Sequence, residues 1–123
     1  MIKILITAVL LSLTTGNVEI HEALNTGNSQ KLSTLFAESI DLTILDEEDT
    51  YSKKQAEQII KKFFTNHTIV RYEVVHVGSA KDGSFFEIGK LHTKKKNYRT
   101  YFVLKGKQKN QKIHQFRIED DNE

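Results

Sequence analysis

The feature that most constrains the fold is one strongly amphipathic helical segment that begins after Ser52. Ser52 and Gln55 have the spacing of a capping box, in which each side chain accepts a hydrogen bond from the other residue's backbone amide. The apolar residues that follow recur at helical spacing: Ala56, Ile59, Ile60, Phe63 and Phe64. A stripe that contains two phenylalanines needs a large apolar partner, so we predict that this helix packs on a sheet.

The residues after this helix supply such a sheet. Four segments rich in β-branched and aromatic residues follow it, separated by short turns: 68–77, 84–93, 98–105 and 112–119. Before the helix, alternating apolar residues predict a strand at 39–45 and a short return strand at 50–51. Two short helices, at 18–24 and 29–38, open the domain; the second is predicted from the helical spacing of Leu32, Leu35 and Phe36.

This order of elements predicts an α+β fold with segregated helices. We expect a cone-shaped, curved antiparallel sheet that wraps round the long helix, with the N-terminal helices packed beside it. A cone of this kind buries one face and leaves room for a pocket at its open end.

The register of the hairpin over 84–105 depends on where its turn lies. If it turns symmetrically about residues 94–95, Lys90 faces Arg99, and two like charges directly opposite each other are unfavourable. Either the register differs by one residue, which a bulge at Gly89 would produce, or a carboxylate lies between the two cations.

The start of the chain has the pattern of an export signal. Lys3 is its only charged residue, an apolar run of about ten residues follows, and Thr14 and Gly16 are the small residues of a cleavage site. A bilayer requires about 20 apolar residues, so we expect no permanent membrane span. The alternative is a buried first element of the domain. We predict a signal peptide at 1–16, a single domain at 17–123, and a location in the periplasm or outside the cell.

Composition excludes several classes of function. The chain has 123 residues without cysteine, so disulfides, thiolate metal sites and cysteine nucleophiles are absent. Its net charge of +2 is too small to imply a nucleic-acid partner, and export argues against one as well. The sequence has no phosphate-binding glycine loop or nucleophile elbow, and its histidines lack metal-ligand spacing. We therefore expect no cofactor and no metal.

Five short motifs occur in order along the chain: Tyr51-Ser52-Lys53-Lys54-Gln55-Ala56, Phe63-Phe64, His76-x-Gly78, Phe86-x-Ile88-Gly89-x-Leu91 and Arg99-x-Tyr101. In this order and spacing, residues 18–119 resemble the small secreted bacterial family called domain of unknown function 4783. The resemblance implies export and a fold of the nuclear transport factor 2-like, or cystatin-like, superfamily. It implies no reaction, because that superfamily includes enzymes, binders and dimerisation modules.

Five polar or aromatic residues are candidates for ligand binding at the mouth of the cone: Tyr51, Tyr72, His76, Arg99 and Tyr101. We expect the strands to bring some of them together at one end of the fold, where they line the mouth of a pocket. Glu87 lies among aromatic residues and is a candidate general acid or base, with a solvated or arginine-paired side chain as the alternative. A catalytic pair would join Glu87 or Glu73 to His76.

Three functions remain. The favoured one is non-catalytic binding of a small ligand or a protein through the cone pocket or the sheet. The alternatives are a small isomerase or hydrolase that uses a carboxylate–histidine pair, and a structural role in the cell envelope. Both faces of the 84–105 hairpin are apolar, and one layer of helices covers one face only. We therefore also predict a homodimer through the sheet, the alternative being a monomer whose N-terminal helices cover the second face.

Overall fold

A computed structural model of the chain describes residues 15–107 and 110–122. Its elements, in chain order, are α1 (Thr15–Thr26), α2 (Ser29–Ser33), β1 (Phe36–Ile44), β2 (Glu47–Ser52), α3 (Lys53–Asn66), β3 (Ile69–Ser79), β4 (Phe85–Thr93), β5 (Asn97–Lys105) and β6 (Lys112–Asp120). The predicted signal at 1–16 lies outside the described residues except for its last two. Within the described part, no helix has the length and apolar character needed to cross a membrane.

Six strands form one sheet in the order β2-β1-β6-β5-β4-β3. The strands β3 to β6 form the predicted meander of antiparallel neighbours, and β1 pairs with β2 in an antiparallel hairpin. The pairing of β1 with β6 is parallel, which corrects the expectation of a wholly antiparallel sheet. The α+β architecture of a few helices on one curved sheet is confirmed.

The second helix is shorter than predicted. It ends at Ser33, and Phe36 begins β1 instead of continuing the helix. The Leu35 carbonyl accepts a 2.7 Å hydrogen bond from the Ile113 amide, and Phe36 is in register with Ile113. Pairing with β6 therefore overrides the helical spacing of the apolar residues in this segment.

The long helix α3 is confirmed, together with its cap. Ser52 Oγ accepts from the Gln55 amide at 3.2 Å, and Gln55 Oε1 accepts from the Ser52 amide at 3.1 Å. Its buried residues are Ala56, Ile60, Phe63 and Phe64. They belong to one core with buried strand residues, the largest of which are Phe36, Phe102 and Phe116.

The register of the β4–β5 hairpin is the one that the symmetric turn predicts, with Lys90 opposite Arg99. One of the two cations, Lys90, is paired with a carboxylate from the end of the chain. Asp121 Oδ2 lies 3.3 Å from Lys90 Nζ, and Glu119 is the cross-strand neighbour of Arg99. A bulge is present beside Gly89, but it lies in β3 and leaves the β4–β5 pairing unshifted.

The two faces of the sheet differ in their neighbours. The inner face packs against α1 and α3 and carries the core. Cross-strand partners share a face, so the alternate residues of the central strands form the opposite surface, which we name the outer face. Its residues are half-buried: Phe86, Ile88, Tyr101, Val103, Gln115 and Arg117.

Candidate functional site

A buried carboxylate lies on the inner face, between α1 and the sheet. Glu87 on β4 is fully buried. The hydroxyl of Tyr72 on β3 donates to Glu87 Oε2 at 2.6 Å, and Nε2 of His21 on α1 lies 3.0 and 2.9 Å from the two carboxylate oxygens. A buried carboxylate is tolerated only with such donors. We name this group the Glu87 cluster, and it attaches α1 to the sheet.

Two further residues hold Tyr72 in place. Asn25, one helical turn after His21, accepts a 2.7 Å hydrogen bond from the Tyr72 backbone amide. Since β3 is the last strand of the sheet, this bond satisfies an amide at the sheet edge. Gly89 lies beside the Tyr72 ring, and a Cβ at this position would overlap the ring and its hydroxyl. Position 89 therefore requires glycine, because the Tyr72 ring leaves no room for a larger side chain.

The Tyr72 hydroxyl is held as a neutral donor. Burial and the hydrogen bond to the Glu87 carboxylate raise the pKa of Tyr72 far above its ordinary range, since both disfavour a phenolate. The Thr100 hydroxyl also lies near Tyr72. Its Oγ1 is buried and, within the described residues, makes no hydrogen bond of good geometry.

His21 connects the Glu87 cluster to solvent. Its side chain is 33% exposed, whereas that of Glu87 is 1% exposed. His21 Nε2 is hydrogen-bonded to the Glu87 carboxylate, whereas His21 Nδ1 has no hydrogen-bond partner among the residues that the structure describes. A carboxylate that fixes one ring nitrogen and leaves the other accessible is an arrangement that supports general-base chemistry.

The predicted pairing of Glu87 with His76 is wrong. His76 is exposed on the outer face, where its ring centroid lies 5.9 Å from that of Phe86. The bulge in β3 falls between Val74 and His76. A bulge shifts the alternation by one residue, so His76 lies on the face opposite Tyr72.

The other expected partners of these carboxylates are wrong as well. Glu73 Oε1 lies 2.9 Å from His92 Nε2 and 3.7 Å from Arg71 Nη1. Glu87 is paired with neither Arg71 nor Arg99, because these arginines lie on exposed positions away from the core. Among the described residues, no group of three potential ligands is placed to hold a metal ion.

A groove of about 710 Å³ lies on the outer face of β5 and β6, beside the turn that follows β1. We name it the outer groove. It is lined by Leu45, Asp46, Arg99, Tyr101, Gln115, Arg117, Glu119, Asp120 and Asn122.

A second groove of about 390 Å³ lies between α3 and the β1–β2 hairpin. We name it the helix groove. It is lined by Leu42, Ile44, Leu45, Asp46, Glu47, Tyr51, Ile59, Lys62, Phe63, Asn66 and His67.

The five residues predicted to bind a ligand do not line one mouth. Arg99 and Tyr101 lie together in the outer groove. Tyr51 lines the helix groove, Tyr72 is buried in the Glu87 cluster, and His76 is exposed on the edge strand. The structure therefore brings two of the five candidates together in one groove, and ligand binding by Arg99 and Tyr101 stays a prediction.

Arg117 is held at the outer groove by two neighbours. With its amide oxygen turned toward Arg117, Gln115 accepts from Nε and Nη2 at 3.0 Å each. The guanidinium carbon lies 5.9 Å from the centroid of the Tyr101 ring, a cation–π contact. Within the described part, neither Arg117 nor Arg99 has a carboxylate at ion-pair distance.

The chain matches a family profile described as "Domain of unknown function (DUF4783)" over residues 17–119. The chain belongs to this family. A DUF4783 family protein from Bacteroides uniformis is 33% identical with a TM-score of 0.78, and the match covers 85% of this chain and 96% of that chain. One from Bacteroides ovatus is 31% identical with a TM-score of 0.79, covering 85% and 94%.

More distant similarity supports the fold alone. An NTF2-like protein of unknown function from Cytophaga hutchinsonii is 13% identical to this DUF4783 domain, with a TM-score of 0.59 and coverage of 85% of each chain. The predicted nuclear transport factor 2-like fold is therefore confirmed. No curated protein matches the chain.

Core side chains fill the space between α3 and the sheet of this DUF4783 domain. The ring of Phe116 lies between those of Phe36 and Phe102, with centroids 6.4 and 6.2 Å away. The helix groove lies beside this filled core, where Phe63 stacks on His67 at 4.1 Å between ring centroids. Of the five residues predicted to bind a ligand, the helix groove holds Tyr51 alone.

Proposed function

We propose that this DUF4783 domain is a non-catalytic binding domain that takes a small ligand in the outer groove. Its volume of about 710 Å³ falls within the range of about 300–1,000 Å³ that is usual for small-molecule sites. Arg99 and Arg117 flank Tyr101 without a carboxylate at ion-pair distance in the described part. This observation carries the proposal, because unpaired guanidiniums in a groove are available to an anionic ligand group.

The surroundings of Arg117 favour binding through pre-organisation. The Tyr101 ring and the Gln115 amide restrict the guanidinium before a ligand arrives. Gln115 uses Nε and one hydrogen of Nη2, so Nη1 and the second hydrogen of Nη2 remain to form a fork for a carboxylate or phosphate. An ordered side chain loses less rotamer entropy on binding.

Ligand retention on purification tests this proposal. The wild-type chain and the Arg99→Gln and Arg117→Gln variants are expressed with the leader intact, isolated, and compared by native mass spectrometry. We expect a bound small molecule on the wild type and its loss from both variants. Retention of the same mass by both variants would place the ligand elsewhere on the domain.

We propose that the domain is exported. The support is the charge and apolar pattern of residues 1–16, and the family match begins at residue 17, directly after the predicted signal. Intact-mass analysis of periplasmic or secreted protein should show the loss of about 16–20 residues from the N-terminus. A full-length chain recovered from the cytoplasm would contradict export.

We also propose a homodimer that forms through the apolar part of the outer face. Phe86, Ile88 and Val103 continue the surface beyond Tyr101, and the helices α1 and α3 pack on the opposite face. A second copy offers the same apolar row, so a two-fold contact buries both rows at once.

A small enzyme is the second candidate, and the hydrogen bonds between His21 and Glu87 favour it. In that function Glu87 orients the imidazole, and Nδ1 accepts a proton from the substrate. Hydrolysis of p-nitrophenyl acetate tests for such a base. A rate that His21→Ala lowers to that of buffer supports the enzyme, and equal rates for both chains count against it.

A further inference from the structure

We infer that the ligand of the outer groove is a small zwitterion with a carboxylate at one end and an ammonium group at the other. The inference rests on the proposed function and names its ligand class. Side chains of both positive and negative charge line this one groove. Arg99 and Arg117 supply the positive side, and Asp46 and Glu119 supply the negative side.

Like the two arginines, the two acidic residues form no ion pair within the described part of the chain. Glu119 is the cross-strand neighbour of Arg99, and directly opposite unlike charges commonly form a pair. Nevertheless, neither Glu119 nor Asp46 has a cation at ion-pair distance among the residues that the structure describes. Asp120, which also lines the groove, differs in this respect because it lies 2.6 Å from Lys96.

The turn between β1 and β2 holds one of these acids at the groove. Leu45 has a φ of 56° and is the single non-glycine residue with positive φ in the described ranges. It is the first residue of the two-residue turn before β2, a position where glycine is usual. Its amide donates to the Ile118 carbonyl on β6 at 2.7 Å, which fixes the next residue, Asp46, beside β6. Strained residues of this kind cluster at ligand sites.

A zwitterion suits this distribution better than either single charge. A carboxylate alone binds the guanidiniums but meets the negative field of Asp46 and Glu119. An amine alone binds the acids but meets Arg99 and Arg117. A molecule with both groups satisfies each side, and its apolar linker lies against the Tyr101 ring.

Calorimetry with matched probes tests the inference. Glycine, β-alanine and ε-aminohexanoate are each compared with the carboxylic acid and the amine of the same chain length. We expect one of the zwitterions to bind at least about tenfold more tightly than its two analogues, a difference of about 1.4 kcal/mol. Glu119→Gln should remove this advantage without weakening the carboxylic acid, whereas Arg117→Gln should weaken both.

Arg71→Gln is the matched control, since Arg71 is an exposed arginine on β3, away from the groove. It should leave all affinities unchanged, and equal melting temperatures show that the variants are folded. If a carboxylic acid binds as tightly as its zwitterion, the inference is overturned while the proposed anion site stands. If none of the probes binds at millimolar concentration, both the inference and the proposed function are overturned.

Discussion

The side chain of Tyr72 lies diagonally across β4 and donates its hydroxyl to the carboxylate of Glu87 at 2.6 Å. Tyr72 is the cross-strand partner of Leu91, so its ring passes over Gly89 to reach Glu87, and these three β4 residues are successive on the inner face. The glycine, the tyrosine and the buried acid therefore form one unit, and a change in one has consequences for the other two.

Gly89→Ala should destabilise the domain because its Cβ would overlap the Tyr72 ring. The backbone of position 89 is paired on both sides, by β3 and β5, so the ring must move instead. We expect a loss of about 1–3 kcal/mol in the free energy of unfolding, as for other overpacked cores. Urea denaturation measures it, and a variant within about 0.5 kcal/mol of the wild type would show that the ring has room to shift.

The phenol of Tyr72 should stay protonated at a pH where an ordinary tyrosine ionises. Its folded-state pKa is raised by burial and by Glu87, while the unfolded value is about 10. The resulting stabilisation is complete below pH 10 and is lost above it at about 1.4 kcal/mol per pH unit, because only the unfolded chain releases the proton. Phenolate absorbance and melting against pH measure this, and Tyr72→Phe should lack this loss of stability. A Tyr72 that ionises near the ordinary tyrosine pKa of about 10 would contradict a closed Glu87 cluster.

The spacing of apolar and capping residues along the chain predicts much of the fold, because helices, caps and hairpins form between residues that are close in sequence. The cap at Ser52, the apolar stripe of α3 and the register of the β4–β5 hairpin are all of this kind, and all are confirmed. The second helix was mispredicted because a distant strand, β6, pairs with its last residues. The spacing of apolar residues within one segment carries no information about which distant strand pairs with it.

The Glu87 cluster shows where sequence reasoning ends. The aromatic surroundings of Glu87 mark it as unusual, but its partner His21 lies 66 positions away. No pattern in the sequence joins the two residues, since only the packing of α1 on the inner face of the sheet brings them together. Regular alternation puts His76 on the face of Tyr72 and so favours it as the partner, and the unpredicted bulge in β3 reverses that placement.

Two substitutions separate the packing of α3 from its capping. Ile60→Ala removes a fully buried side chain and should cost about 2–5 kcal/mol. Ser52→Ala removes one hydrogen bond of the capping box and should cost about 1 kcal/mol. Thermal melting of both variants gives the order, and a neutral Ile60→Ala would contradict the packing of this helix on the sheet.

Self-association should depend on the outer face. Sedimentation of the mature chain at tens of micromolar should show a dimer, and Tyr101→Lys should shift it to a monomer by placing a charge in the apolar contact. Lys62→Gln, which changes an exposed residue of α3, is the control that should leave the dimer intact. A wild-type monomer whose melting temperature is unchanged by Tyr101→Lys would show that this face is not an interface.

Chemical-shift mapping by nuclear magnetic resonance tests the central claim, that the outer groove is the ligand site, most directly. Labelled mature chain is titrated with each of the three zwitterions, glycine, β-alanine and ε-aminohexanoate, and the side-chain signals of Tyr101, Gln115 and Arg117 are followed. These signals should shift and saturate together, while those of Tyr72 and His21 stay in place. Saturable shifts confined to Tyr51 and His67 in the helix groove, or no saturable shift at all, would contradict the account.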